Sequence, residues 1–151
     1  MNYIYKQLLG SDIKHLKGLL KVFGEAFGES DNYQSAIPTD IYLRSLLSKP
    51  YFIVLVAMDG SEIVGGLVAY ELEKFEQDRR EIFIYDLAVS EAHRRKGIAT
   101  ELINKLKNIA KNRKAYIIFV QADKADIPAI TLYESLGVKT QTLNFDIPID
   151  K

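Results

Sequence analysis

The sequence contains no cysteine, which excludes disulfide bonds, thiolate metal sites and cysteine-based covalent catalysis. Its two histidines, His15 and His93, are too few for a histidine-rich metal site, so we expect no metal ion. The 20 basic and 20 acidic residues cancel, and the chain therefore lacks the overall positive charge typical of nucleic-acid-binding proteins. Its apolar runs are shorter than a membrane span, and its N-terminus lacks the basic-then-apolar pattern of a signal peptide. We expect a cytoplasmic protein that binds neither nucleic acid nor membranes.

What remains is the composition of an ordinary globular protein, with 48% hydrophobic and 26% charged residues in a chain of 151. No repeat or linker-like segment divides it, so we expect one domain, residues 1–151. Apolar residues at helical spacing predict a helix over residues 12–27, and Thr39 is placed to cap a short helix over 40–48. Two β-rich runs follow, YFIVLVAM and IVGGLVAYEL, and the turn DGSE between them predicts a hairpin.

The second half of the chain alternates strands and helices. It contains a third strand, EIFIYDLAV, a helix over 98–112 and the continuous apolar run AYIIFVQA, which we interpret as a central strand. Pro128 starts a short helix that Gly137 closes in the left-handed cap position, and VKTQTLNFDI ends the chain as a strand. The order β-α-α-β-β-β-α-β-α-β predicts an α/β protein in which helices cover a mixed β-sheet.

The segment before the 98–112 helix has an unusual charge pattern. Arg94, Arg95 and Lys96 precede the first turn, where the helix dipole disfavours cations, and Lys96 and Gly97 provide no side-chain cap. The first amides of the helix need partners, and a phosphate or pyrophosphate would supply them and neutralise the cations. Gly97 would allow a close approach of the backbone. The alternative is a solvated charge run whose amides bind water.

Two motifs bear on this choice. The first is Arg94-x-x-Gly97-x-Ala99 after the strand IYDLAV, and the second is DIPAITLYESLGV about thirty residues later. Together they resemble the GNAT superfamily of acetyl-coenzyme A-dependent N-acetyltransferases. The stretches FGEAFGE, FEQDRREIFIYDLAVSEAHRRKGIATELIN, VQAD and FDI are similar to the type I aminoglycoside 3-N-acetyltransferases, which acetylate the 3-amino group of gentamicin-like drugs.

The resemblance implies the GNAT fold, acetyl-coenzyme A as cofactor and a homodimer. It assigns the pantetheine arm to the backbone of one strand segment and the pyrophosphate to the turn and first amides of the helix. These cofactor-binding residues are Leu87, Ala88, Val89, Arg94, Arg95, Lys96, Gly97, Ile98, Ala99 and Thr100, joined by Asp126, Ala129 and Tyr133 of the second motif. Asp126 stands where the superfamily often has asparagine.

Asp86 is our candidate for the general base. It is a carboxylate in the middle of an apolar strand, one residue before the segment assigned to the cofactor. An acceptor amine that is protonated at neutral pH must lose a proton before it attacks a thioester, directly or through water. The alternative is a structural role, in which Asp86 pairs with a basic side chain or a backbone amide.

Tyr133 matches the superfamily tyrosine that lies near the coenzyme A sulfur, and this implies a proton donor to the departing thiolate. The alternative is a core aromatic residue on the short helix. No cysteine or activated serine is present to form an acyl-enzyme, so we expect direct transfer in a ternary complex.

Acidic residues cluster where relatives build the acceptor site, and carboxylates near one another would attract a polycationic amine. The residues that we assign to substrate binding are Glu29, Asp31, Glu81, Tyr85, Asp86, Asp123 and Asp146. Acidic loops are also common on solvated surfaces, which is the alternative for each residue taken singly.

Three other functions are alternatives to aminoglycoside acetylation. A GNAT enzyme for another amine, such as a polyamine, an amino acid or a protein N-terminus, would also suit an acidic acceptor site. A non-catalytic module that binds acetyl-coenzyme A would be favoured by the loss of Asp86 and Tyr133, and both are present. RNA binding by HRRK lacks the stacking aromatic residues and the wider basic surface that it needs.

Overall fold

The computed structural model describes residues 2–29, 31, 33 and 36–150. The chain divides into two compact units, Met1–Gln121 and Ala122–Lys151. The elements of the first unit are β1 (Ile4–Gln7), α1 (Ile13–Ala26), α2 (Asp40–Leu47), β2 (Phe52–Asp59), β3 (Glu62–Glu73), β4 (Arg80–Val89), a 3₁₀ turn (Glu91–His93), α3 (Ile98–Asn112) and β5 (Ala115–Val120). The second unit contains α4 (Ile127–Glu134).

The five strands form one mixed sheet in the order β1-β2-β3-β4-β5. The pairs β1–β2, β2–β3 and β3–β4 are antiparallel, and β5 runs parallel to β4. This confirms the α/β class and the mixed sheet.

The prediction that AYIIFVQA is a central strand is wrong for the sheet of the described residues, because β5 is an edge strand there. Its Tyr116 and Ile117 are 46% and 47% exposed. A continuous apolar run indicates contacts on both faces of a strand, but it carries no information about a neighbour at each edge.

The core of the first unit lies on both faces of this sheet. Alternate residues of β2, Phe52, Val54 and Val56, pack into one buried cluster with α1 and α2. The intervening residues, Ile53 and Leu55, are equally buried and project to the opposite face, since successive side chains of a strand alternate. There they meet the apolar side of α3, whose buried residues are Ile98, Leu102, Ile103, Leu106 and Ala110.

A glycine in β3 lets α1 lie close to the sheet. A Cβ atom on Gly66 would come within 2.6 Å of both Leu19 Cδ1 in α1 and the backbone oxygen of Leu55. No side chain fits in that gap, so Gly66 allows the close approach of α1.

Local signals predicted several element ends correctly. Thr39 caps α2, where its Oγ1 accepts a hydrogen bond from the Tyr42 amide at 3.2 Å. The DGSE turn joins β2 to β3 as predicted, with Gly60 at a positive φ of 61°. Helix α3 spans Ile98–Asn112, the range predicted from the sequence.

Two predictions for the C-terminal unit are wrong. Gly137 does not take the left-handed conformation, which among the described glycines is found at Gly28, Gly60 and Gly97. Helix α4 ends instead at Glu134, and its C-cap residue Ser135 is in the right-handed α region. Residues 138–147 form no strand. The alternating pattern of that segment can define an apolar face, but a strand also needs a hydrogen-bonded neighbour.

Across the part of the chain that the structure describes, no helix combines the length and the apolar character that crossing a membrane requires.

Candidate active site

A β-bulge in β4 sets the position of the predicted general base. Val68 of β3 pairs with Asp86 and the next residue, Ala69, pairs with Ile84, so Tyr85 is an extra residue in β4. Val68 belongs to the core cluster beneath α1. Because residues opposite each other in register project from the same face of a sheet, Asp86 points to the α1 side.

The Asp86 carboxylate is half-buried and its environment is unusual for an aspartate. Its Oδ2 accepts a hydrogen bond from the Tyr33 hydroxyl at 3.3 Å. Burial raises the pKa of the Asp86 carboxyl above its usual range, the Tyr33 bond lowers it, and the negative charge of Glu29 raises it again. The balance is a raised pKa, which makes this carboxylate a stronger base than an ordinary aspartate.

A row of aromatic side chains lies on the sheet near this carboxylate. Tyr85 is 63% exposed and makes edge contacts with Tyr70 and Phe83, with ring centroids 5.9 and 5.7 Å apart. Phe83 in turn stacks on Phe119 of β5 at 4.7 Å. Asp86 therefore lies next to an aromatic surface that extends across three strands.

The sheet opens beside Asp86. Pairing between β4 and β5 ends at Ile84 and Val120, whereas β4 continues to Val89. On its other edge β4 stays paired with β3 as far as Val89. The backbone of Leu87, Ala88 and Val89 is thus paired on one side, and among the described residues no strand continues beside it on the other. An extended ligand can hydrogen-bond to such an edge.

The turn after β4 leads into α3 through two left-handed residues. Arg95 has φ 62° and Gly97 has φ 79°, and Gly97 is the N-cap residue without a side-chain cap. The first hydrogen bond of the helix runs from the Glu101 amide to the Gly97 carbonyl oxygen at 3.0 Å. The amides of Ile98, Ala99 and Thr100 precede it and have no acceptor within the helix. This geometry fits an anion at the start of α3.

The cationic side chains of the turn have different surroundings. Arg94, Arg95 and Lys96 are all exposed. Arg94 Nε donates to the carbonyl oxygen of Val89 at 3.1 Å, so this arginine ties the turn to the end of β4. His93 links the turn to the N-terminal segment, since its Nδ1 lies 2.9 Å from the Tyr3 hydroxyl.

The acidic residues predicted to bind substrate are not equivalent. Glu29 and Asp31 are exposed on the segment after α1, and Glu29 acts electrostatically on Asp86. Glu81 lies at the start of β4, where Tyr116 hydrogen-bonds to it and Lys74 Nζ lies at 3.5 Å. The Tyr116 bond holds the pKa of Glu81 below its usual range. Glu81 already has partners within the protein, and its substrate role stays a prediction.

The remaining predicted site residues lie in the C-terminal unit. Asp126 caps α4 by accepting from the Ala129 amide at 3.1 Å, and Asp123 accepts from the Ala125 amide at 2.8 Å. Asp146 accepts from Asn144 at 3.2 Å. Tyr133 is half-buried on α4. The local hydrogen bonds give Asp126 and Ala129 a capping role, and the cofactor and substrate roles of these residues stay predictions.

Sequence reasoning missed Tyr33. It lies in the polar stretch GESDNYQSAIP, which has no periodicity or motif that would mark one of its residues as functional. Only the path of the chain after α1 brings its hydroxyl to a residue that is 53 positions away in sequence.

The mixed sheet and the uncapped start of α3 are the features expected of an acetyl-coenzyme A-dependent acyltransferase. The family model of the acetyltransferase (GNAT) family matches residues 17–138, and the chain belongs to this family. Acetyl-coenzyme A is the acetyl donor that GNAT acetyltransferases use.

Solved structures give narrower similarities. The chain is 53% identical to an aminoglycoside acetyltransferase from an uncultured soil metagenomic sample, with 99% of both chains covered and a TM-score of 0.97. It is 30% identical to a second such acetyltransferase from an uncultured soil metagenomic sample, solved in complex with sisomicin, with 97% of this chain and 96% of the other covered and a TM-score of 0.91. The structure is therefore close to those of aminoglycoside acetyltransferases.

A curated relative is more distant. N-acetyltransferase 8B of Rattus norvegicus is 29% identical over 82 residues, which are 54% of this chain. The match spans 37% of the length of that protein.

Proposed function

We propose that this protein transfers the acetyl group of acetyl-coenzyme A to an amine of an aminoglycoside such as gentamicin, at the 3-amino group, by direct transfer in a ternary complex. The observation that carries the proposal is Asp86, a half-buried carboxylate with a raised pKa at the point where β4 leaves β5. The similarity to two aminoglycoside acetyltransferases supports the choice of acceptor.

Acetyl-coenzyme A, when bound, supplies the acetyl group as a thioester. The chain's part is to bind and orient this cofactor. The unpaired edge of Leu87, Ala88 and Val89 offers backbone groups to an extended arm, and the first amides of α3 offer donors to phosphate oxygens. The exposed Arg94, Arg95 and Lys96 add positive charge at the same place.

Asp86 and Tyr133 carry out the proton transfers in this proposal. Asp86 takes the proton of the acceptor amine, directly or through water, and its raised pKa brings its proton affinity closer to neutral pH. Tyr133 Oη donates a proton to the thiolate that leaves: a phenol with a pKa of about 10 is protonated at neutral pH, and the phenolate regains a proton from the acceptor nitrogen as that nitrogen becomes an amide.

The acceptor site that we propose is acidic and aromatic. Carboxylates attract an acceptor with several ammonium groups, and the exposed face of Tyr85 offers a further contact for a cation. The residues proposed to bind the acceptor are Glu29, Asp31, Glu81, Tyr85, Asp86, Asp123 and Asp146.

An acceptor assay tests the proposal. Thiol release from acetyl-coenzyme A is measured with gentamicin, spermidine and a peptide amine as separate acceptors, and NMR of the product identifies the acetylated nitrogen. We expect rapid release with gentamicin and acetylation at its 3-amino group. Release with spermidine or the peptide but not with gentamicin would refute the aminoglycoside assignment. Acetylation of gentamicin at another nitrogen would refute only the 3-amino assignment.

We also propose that the protein is a homodimer. The segment after α4 carries a row of exposed apolar side chains at alternate positions, Leu143, Phe145, Ile147 and Ile149, which are 77–93% exposed. Exposed apolar surface of this kind is typical of an interface.

Light scattering tests the dimer. The wild-type protein is expected to have the mass of two chains, and Phe145→Asp should shift it toward one, because a charge would be buried in the interface. Phe75→Asp is the matched control, since Phe75 is 98% exposed on the β3–β4 loop and should leave the mass unchanged. A wild-type protein with the mass of one chain would contradict the proposal.

A further inference from the structure

Contacts within the described part of the chain hold the Tyr33 hydroxyl against the candidate base. The Tyr33 ring packs against Phe23 in α1 and against Phe27, the C-cap residue of that helix, with ring centroids 6.2 and 6.0 Å apart. Its amide donates to the carbonyl oxygen of Glu29 at 3.1 Å. Its hydroxyl donates to Asp86 Oδ2 at 3.3 Å. The segment after α1 is thereby connected to the bulge in β4.

We propose that Tyr33 is a positioning residue that holds the Asp86 carboxylate in the orientation needed to accept a proton from the acceptor amine. The inference rests on the proposed function, in which Asp86 is the base. A carboxylate on a bulged strand can rotate about two side-chain torsions, and a fixed donor to Oδ2 selects one orientation. It leaves Oδ1 to face the acceptor. Tyr33 is not itself a catalytic residue in this scheme.

The charged and polar groups around Asp86 set its pKa, so the proposed role of Tyr33 can be tested through the pH dependence of activity. The titratable groups that act on the carboxylate are Tyr33 and Glu29 from the segment after α1. Tyr70 of β3 also interacts with the Asp86 charge, and Tyr85 of β4 lies against the Tyr70 ring. The Tyr33 bond favours the ionised carboxylate, and the Glu29 charge disfavours it. Burial and the Asp86 charge raise the pKa of Tyr33 to about 12, so its hydroxyl keeps its proton over the working pH range.

Two substitutions should therefore move the pH profile in opposite directions. Activity requires the ionised form of Asp86, so kcat/KM falls as the pH drops through the pKa of this group. Tyr33→Phe keeps the ring contacts and removes the donor, which should move the acidic limb to higher pH by about half to one unit. Glu29→Gln removes the negative charge and should move that limb to lower pH.

The kinetic constants separate positioning from binding. At a pH above the acidic limb, Tyr33→Phe should lower kcat several-fold, while the KM for acetyl-coenzyme A stays unchanged. Tyr42→Phe is the matched control: Tyr42 is 60% exposed on α2, and the loss of its hydroxyl should leave both the limb and kcat in place. The proposal is overturned if the acidic limb of the pH profile stays in place in both Tyr33→Phe and Glu29→Gln. It is also overturned if Tyr33→Phe and Tyr42→Phe lose kcat equally.

A measurement without any acceptor keeps this test independent of the proposed function. Carbon NMR titration of the Asp86 carboxyl reports its pKa directly in the wild type and in Tyr33→Phe, and melting curves check that both are folded. If no aminoglycoside is acetylated, the proposed function fails, while a raised Asp86 pKa in Tyr33→Phe still supports the coupling. An unchanged Asp86 pKa in the folded variant refutes the positioning role even if gentamicin is acetylated.

Discussion

Asp86→Asn is expected to lower kcat for acetyl transfer by about 100- to 10,000-fold, the range typical of losing a general base. The amide keeps the size of the side chain and can still accept the Tyr33 hydrogen bond, but it cannot take up a proton. The affinity for coenzyme A should be largely unchanged, because the cofactor is proposed to bind to the backbone beyond Asp86. Steady-state kinetics and calorimetric titration with coenzyme A measure the two effects separately.

Stability gives a second readout for the same variant. The pKa of Asp86 is raised in the folded protein, so the native state binds this proton more tightly than the unfolded chain does. The ionised carboxylate therefore reduces the free energy of unfolding as the pH rises from the unfolded value through the raised one. Asp86→Asn removes this penalty, and we expect a melting temperature at neutral pH that is equal to or above that of the wild type.

Asp78→Asn is the control for Asp86→Asn. Asp78 has a fully exposed side chain on the β3–β4 loop, 3.8 Å from Arg80, and its replacement should leave kcat close to that of the wild type. A structural role for Asp86 would give a different result: turnover, coenzyme A affinity and melting temperature would fall together.

Gly97→Val should raise the dissociation constant of coenzyme A by about tenfold or more, which corresponds to 1.4 kcal/mol or more of binding free energy at 25 °C. Gly97 has φ 79°, a conformation that a β-branched residue adopts only with strain. A Cβ there would meet no protein atom within 4 Å, so the effect comes from the backbone and from crowding of the ligand. The valine would shift the turn and move the α3 amides away from the position proposed for the pyrophosphate.

Gly60→Val separates strain from cofactor binding. Gly60 also has a positive φ, 61°, and a Cβ there would also meet no atom within 4 Å, but it lies in the β2–β3 turn. Both variants should lose stability, by roughly 1–3 kcal/mol for a strained backbone conformation. Only Gly97→Val should lose affinity for coenzyme A in calorimetric titration. Equal affinities in the two variants would refute the pyrophosphate assignment.

The sequence predicted the parts of the site that are built from contiguous residues. The turn around Gly97 and the helix Ile98–Asn112 follow from a missing cap, a glycine and an apolar period, all within about twenty residues. Asp86 stood out because a carboxylate interrupts an apolar strand. These features are local, so no knowledge of the packing was needed to find them.

The prediction of edges and strand neighbours was less successful. The run Ala115–Val120 looked like a central strand and is the edge of the described sheet, while the C-terminal segment looked like a strand and has no ladder. In both cases the apolar pattern indicates which faces of a strand can pack against other parts of the protein. It does not report which other segment supplies the hydrogen bonds, since that depends on residues far away in sequence.

By itself, then, the sequence determined the α/β class, the family motifs, the uncapped turn before α3 and the identity of the candidate base. Only the tertiary structure decided the bulge that turns Asp86 toward α1, the opening between β4 and β5, and the contact of Tyr33 with the carboxylate. The reason is physical. Apolar periodicity, helix caps and turns depend on residues that are close together in sequence. Strand register and the hydrogen bond between Tyr33 and Asp86, which are 53 residues apart, exist only once α1 has packed on the sheet.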